Sequence, residues 1–201
     1  MLKIGVLASH EGTTLQCILD ACEAGRIQGK VVVVISNNGN SGALSRAKAA
    51  GIPARHLSSI THPTPETLDA AISAALSAGQ VDIVFLAGYL KRLGPATLSA
   101  FHGRVLNTHP ALLPRFGGQG MFGDRVFEAV LVSGESESGV SVHVVDDDYD
   151  TGRIVRQVRV PIETKDCVES LKARIRERER EVVVETLAAI ATGELRLAAA
   201  G

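Results

Sequence analysis

The run Val31-Val32-Val33-Val34-Ile35 constrains the fold of this chain more than any other feature. A strand with one face in water alternates apolar and polar side chains, whereas a run without a polar position has to be covered on both faces. That is the condition of a strand in a parallel sheet between two helical layers. Residues 2–8 and the stretch Asp82-Ile83-Val84-Phe85-Leu86 repeat the pattern. Between these runs stand segments of helical period: residues 13–24, closed by Gly25, residues 41–50, ended by Gly51, and residues 65–78. A short extended piece lies at 54–57. Strand and helix in alternation predict a doubly wound α/β fold with a mostly parallel sheet.

The pattern changes after Leu106. Residues 140–145 and 154–160 read as neighbouring strands, close enough to pair as an antiparallel addition, and a last helix runs from Cys167 to about residue 190. A chain of 201 residues can bury a sizeable core, and no repeat or linker divides it, so one domain over 1–201 is expected. Lys and Arg number 21 against 22 Asp and Glu. That balance argues against a surface dedicated to nucleic acid, because neutralising phosphates takes clustered cations. Residues 172–181 interleave Glu with Arg, as an exposed helix face does. There is no Trp, so base-stacking platforms are not expected either. Cys17, Cys22 and Cys167 lack Cys-x-x-Cys spacing and predict reduced thiols in a cytoplasmic protein, with neither a zinc site nor a disulfide frame. The apolar run after Met1 is too short for a signal peptide, and no stretch is long enough to span a membrane.

The chemistry is concentrated after Arg104-Val105-Leu106, where Asn107-Thr108-His109-Pro110 leads into Ala111-Leu112-Leu113-Pro114. A strand ending here presents an amide and an imidazole at i and i+2, which face the same way, at the edge where open α/β sheets bind ligands. Pro110 and Pro114 fix φ and stiffen the exit. A His in this place serves either as a loop residue satisfied by a backbone carbonyl or as an acid/base group. Further on, Ser141-Val142-His143-Val144-Val145 alternates at the strand period, and Asp146-Asp147-Asp148-Tyr149-Asp150-Thr151-Gly152 follows. Such a run of carboxylates is a solvated hairpin loop unless its last member, Asp150, folds back toward His109. Residues 115–123, with Gly117-Gly118-Gln119-Gly120, suit either a mobile loop beside a site or an irregular surface turn.

Ser9-His10-Glu11-Gly12-Thr13-Thr14-Leu15-Gln16 occupies the first strand-to-helix turn, where α/β proteins commonly bind phosphate. It lacks both the spaced glycines of a dinucleotide fingerprint and the Gly-Lys-Ser/Thr of a P-loop. Thr13 and Thr14 serve either an anion or the helix alone, as caps. Glu11 would repel a phosphate unless it points outward.

Together, residues 9–16, Leu86-Ala87-Gly88-Tyr89-Leu90-Lys91-Arg92-Leu93, residues 107–114, Ser141-Val142-His143 and Asp150-Thr151-Gly152 resemble the phosphoribosylglycinamide formyltransferases of the formyltransferase superfamily, from the first strand to the last helix. The resemblance implies the formyltransferase fold, with a nucleotide-binding half over about 1–105 and a folate-binding and catalytic half over about 106–190. It implies formyl transfer from 10-formyltetrahydrofolate, as co-substrate, to the amino group of glycinamide ribonucleotide in purine biosynthesis, by a cytoplasmic monomer or homodimer and without a metal. It further implies Asn107, His109 and Asp150 as the catalytic trio, Gly12, Thr13 and Thr14 at the substrate phosphate, and Glu179 at its ribose. Tyr89, Leu90, Lys91, Arg92 and Leu93, with Val144, Val145, Asp146 and Asp147, would line the folate pocket. Asn107 and His109 would donate to the developing oxyanion, and Asp150 would raise the imidazole pKa and orient the ring.

The chain departs from the family pattern in three places. His10 stands where the first Gly of the phosphate turn is usual, and Thr13-Thr14 replace Ser-Asn; His tolerates positive φ better than most residues. Asp124-Arg125-Val126-Phe127 stands where His residues usually follow the Gly-rich loop, and Arg180 and Val184 replace a His and a nearby Pro around Glu179. Two other readings compete. One is a 10-formyltetrahydrofolate deformylase, although that group usually carries an extra amino-terminal domain and here the fold is expected to start at Met1. The other is a non-catalytic folate- or nucleotide-binding module, against which the intact Asn107, His109 and Asp150 speak.

Overall fold

The computed structural model describes residues 1–197, so the last four residues of the expected domain lie outside the described residues. Among the described residues, β1 (Leu2–Leu7), β2 (Gly29–Ser36), β3 (Ala54–His56), β4 (Ile83–Leu86), β5 (Val105–His109), β6 (Glu137–Val144) and β7 (Ile154–Pro161) form one sheet. Their order is β3-β2-β1-β4-β5-β6-β7. The first five strands run parallel, while β6 is antiparallel to β5 and β7 to β6. The expected parallel sheet with an antiparallel addition is therefore what forms. The order reverses at β1, which pairs with β2 on one side and β4 on the other; outside the carboxyl ends of such a pair an open α/β sheet leaves a crevice for ligands.

Side chains of successive strand residues enter opposite layers, which is why the aliphatic runs are unbroken. Ile83 and Phe85 of β4 join one core with α1 (Thr13–Glu23), α2 (Gly42–Ala49), α5 (Asp124–Val132) and α6 (Val168–Thr192). Val84 and Leu86 join the other, with α3 (Pro65–Ala78) and the residues flanking α4 (Pro95–Ala100). α6 runs unbroken through Val184, where a Pro would remove an i→i−4 hydrogen bond.

Two helices were not foreseen, α4 and α5. α5 does carry a helical signal, since Val126, Phe127 and Val130 form its buried stripe, but it starts directly from the Gly-rich loop and is short. α4 has six residues and little apolar period, and it is nucleated from outside. Buried Asp69 of α3 accepts the N–H groups of Ala96 at 2.7 Å and Thr97 at 3.1 Å, and the Thr97 hydroxyl as well. The chain also extends β5 beyond Leu106, so Asn107 and His109 are paired strand residues, opposite His143 and Ser141 of β6.

Asp69→Ala should lower stability by about 2 kcal/mol, because it strips a side-chain acceptor from buried helix N–H groups. Urea denaturation would read this as a lower midpoint at unchanged slope. An unmoved midpoint would show that α4 does not depend on this cap.

Candidate active site

The strand period decides what β5 presents. Val105 packs into the α3 layer and Leu106 into the α6 layer. Asn107 and His109 therefore point to the side of Val105, and Thr108 to that of Leu106. On that second side the Thr108 hydroxyl donates to Oε1 of Glu179 on α6.

On the first side, antiparallel pairing sets His143 beside Asn107, with Asn107 Nδ2 3.2 Å from His143 Nε2. His143 Nδ1 lies 3.0 Å from the Val144 carbonyl, so both ring nitrogens have a polar neighbour. The turn after β6 brings Asp150 back over this face. Its Oδ2 stands 3.4 Å from His109 Nδ1 and its Oδ1 3.4 Å from His143 Nε2. The carboxylate run is thus split: Asp150 folds back, while Asp147 and Asp148 stay exposed. His109 Nε2 lies 2.7 Å from the Phe116 carbonyl, so this His is satisfied by a backbone carbonyl and belongs to the cluster as well. The shorter of its two contacts places the proton of the neutral ring on Nε2.

Both groups that meet His109 come from residues in the left-handed region, Phe116 and Asp150, each at φ 58°. Backbone strain of this kind collects where surrounding structure over-determines a site. The Asp-x-Gly spacing has a steric cause. A Cβ on Gly152 would lie 1.8 Å from the Val144 carbonyl oxygen, so only Gly lets the turn close against β6.

Burial lowers the His109 pKa from its ordinary 6.5, and this outweighs the raising effects of Asp150, which acts in the expected direction, and of the Phe116 carbonyl. The ring is therefore favoured neutral at rest. For Asp150 burial acts upward, but the His143 ring, the His109 charge and the Gly118 N–H together hold it below the usual carboxylate value. Burial raises Glu179, against the opposing pull of Thr108, Arg176 and Arg180.

A cavity of about 550 Å³ opens over this cluster, within the roughly 300–1,000 Å³ usual for small-molecule sites. Asn107, His109, Asp150 and Glu179 all line it, as do His143 and Thr108, to which the sequence reading gave no role. Finding His143 would have required its register against Asn107. Tyr89, Leu90, Lys91, Arg92, Leu93, Val145 and Asp146 are in the wall. Val144 and Asp147 are not: Val144 is taken up in β6, and Asp147 offers its carbonyl to Arg92, while Asp148 and Tyr149 face the cavity instead. Burial pushes the Tyr89 hydroxyl up to about 12, so it meets the cavity as a neutral group.

Gly12, Thr13 and Thr14 stand outside that wall but are tied to it. The Ser9 N–H donates to the Gly88 carbonyl at 3.2 Å, and the Leu90 N–H donates to Ser9 Oγ at 2.9 Å. Gly12 is the N-cap of α1, at φ 71°, and it supplies no side-chain cap; Thr13 and Thr14 are the first helical residues, not caps. Their N–H groups open α1 at the positive end of its dipole, a position that in general favours negative charge. A Cβ on Gly12 would come within 2.7 Å of Ala43 Cα.

A family model described as formyl transferase matches residues 2–187. The chain belongs to the formyl transferase family. It is 40% identical over 197 residues to the phosphoribosylglycinamide formyltransferase of Haemophilus influenzae, covering 98% of this chain and 91% of that protein. The solved glycinamide ribonucleotide transformylase 1 of Symbiobacterium toebii matches with a TM-score of 0.90 at 40% identity, over 99% of this chain and 92% of that one. A formyltetrahydrofolate deformylase of Pseudomonas syringae pv. tomato shares the fold at a TM-score of 0.85 and 24% identity, over 98% of this chain and 64% of that one.

In this formyl transferase the unusual first strand-to-helix turn has a simple local basis. Positive φ falls on Gly12 and not on His10, so the replacement of the first Gly brings no backbone strain. The Glu11 carboxylate lies beside Gly42 at the start of α2, and the Glu11 carbonyl accepts from Arg46 Nε at 2.8 Å. No helix of the described residues is long and apolar enough to cross a membrane.

The His109 ring of this formyl transferase should titrate below 6.5. Asp150→Asn should lower the midpoint further, because it removes the negative charge that favours the imidazolium. Proton NMR of the ring across pH checks both; a rise on Asp150→Asn would reverse the assigned sign.

Proposed function

We propose that this formyl transferase moves a formyl group from 10-formyltetrahydrofolate to the amino group of glycinamide ribonucleotide, a step of purine biosynthesis. The observation that carries the reading is the meeting of Asn107, His109 and Asp150 on one cavity wall, beside an anion-ready helix start. The full-length likeness to a phosphoribosylglycinamide formyltransferase at 40% identity supports the same acceptor.

The folate supplies the formyl group and the ribonucleotide amine takes it directly, so the protein has to position two molecules and stabilise one oxyanion. That chemistry calls for neither a covalent intermediate nor a metal. Asn107 donates from Nδ2 to the oxyanion, in the orientation that His143 gives its amide. As His109 Nε2 turns from the Phe116 carbonyl to the reacting centre, Asp150 holds the ring proton on Nδ1; Nε2 then takes the amine proton, donates as imidazolium to the same oxygen, and gives that proton to the departing folate nitrogen. Asp150 is the counter-charge that makes a buried imidazolium affordable. The N–H groups at Thr13 and Thr14 receive the phosphate, and Glu179, fixed by Thr108, accepts from the ribose hydroxyls. The folate lies along Tyr89, Leu90, Lys91, Leu93 and Val145. The protein acts on these small molecules in the cytoplasm, as a monomer or homodimer.

Formyl transfer measured with both substrates, beside a control without the acceptor, tests the reading; formate release in the control would mark a deformylase. His109→Ala and Asp150→Ala should each lower kcat on the order of a hundredfold to a thousandfold. Because the pair acts as a unit, the double variant should be little worse than the worse single one, and additive losses would separate them. Thr13→Asp sets a carboxylate where the phosphate docks. It should raise KM for the ribonucleotide and spare that for the folate, and the opposite pattern would assign the turn to the other substrate.

A further inference from the structure

The turn from 146 to 150 carries Asp146, Asp147, Asp148 and Asp150, and like charges this close drive it outward into water. The same turn has to deliver Asp150 inward. Asp150 meets His109 and His143 at 3.4 Å each, distances that a small outward drift would break. Asp146 ties the turn to itself, accepting from the Asp148 N–H at 3.3 Å and from Thr151 Oγ1 at 2.9 Å, but these bonds do not fasten it to the sheet.

Arg92 does reach across. It stands on the stretch between β4 and α4, next to buried Leu93. Its Nη2 donates to the Asp147 carbonyl, and its guanidinium lies over the Tyr149 ring, 5.1 Å from the centroid. A planar, permanently charged group suits this double engagement, with an acceptor at its edge and an aromatic face beneath it. Its charge also opposes the carboxylates of the turn. Arg92 is also part of the cavity wall.

We propose that Arg92 is a positioning residue, which clasps the Asp146-to-Asp150 turn and so sets Asp150 against His109 and His143. The proposal rests on the reading of Asp150 as the counter-charge of His109. Arg92 acts through Asp150 and touches neither reacting group.

The test is Arg92→Ala in the full chain, with Asp150 intact and in an Asp150→Asn background. Arg92 is exposed, so the fold should survive its replacement. With Asp150 intact, the His109 midpoint by NMR should fall, because the stabilising carboxylate is less often in place. In formyl transfer kcat should drop on the order of tenfold to a hundredfold, as for a misplaced catalytic group. In the Asp150→Asn background both effects should vanish. An unmoved His109 midpoint would overturn the clasp. A folate KM that rises equally in both backgrounds would also overturn it, making Arg92 a direct contact of the co-substrate. A protein without formyl transfer whose His109 midpoint still shifts would keep the clasp and sink the functional reading.

Discussion

The antiparallel pairing of β5 with β6 is the constraint on which the rest of the site depends. Val144 pairs with Leu106, and the Val145 N–H donates to the Val105 carbonyl, so the chain leaves β6 near the beginning of β5. The turn that follows joins β6 to its neighbour β7 and brings Asp150 back over one face of the sheet. That face is the one onto which Asn107, His109 and His143 point. A parallel neighbour would have carried the chain off at the tip of β5, and no carboxylate would have come back over the imidazoles. The same register gives Asn107 its cross-strand partner, because His143 stands directly opposite.

The cluster built on that pairing places an acid and two imidazoles in a largely dry setting, where each group is tolerable only through the others. Burial disfavours charge on His109, and Asp150 disfavours its absence; the outcome is a ring that is neutral at rest and has a counter-charge waiting. Such poise suits a group that must take on charge briefly during acyl transfer. The strain at Phe116 and Asp150 and the exclusion of any side chain at Gly152 are local costs that the two apolar cores on either side of the sheet offset. The exit of β5 is fixed in the same spirit. Ser141 accepts the Leu113 N–H at 3.0 Å and donates to the Ala111 carbonyl at 2.7 Å, so the stretch after Pro110 is held against β6.

Three segments far apart in sequence meet around one cavity. The stretch at Tyr89 to Leu93 comes from β4, the Gly-rich loop follows β5, and the acidic turn follows β6. The expected division into a nucleotide half and a folate half does not describe the cavity wall, which takes residues from both. Proximity through tertiary folding also explains why the first strand-to-helix turn is adjacent without being in the wall: Ser9 fastens it to Gly88 and Leu90 at the point where the strand order reverses.

Local physics determined a good deal of this protein. Unbroken aliphatic runs dictated strands covered on both faces, and the helical periods and their Gly stops placed α1, α2, α3 and α6. The period of β5 set Asn107 and His109 on a common side. What depends on register or burial could not be read from local pattern. His143 gained its place from cross-strand pairing, Thr108 from facing Glu179 across layers, and α4 from a cap on another helix. The direction of the His109 shift was likewise decided by tertiary structure, because the charge of Asp150 is visible in sequence while the depth of burial that outweighs it is not.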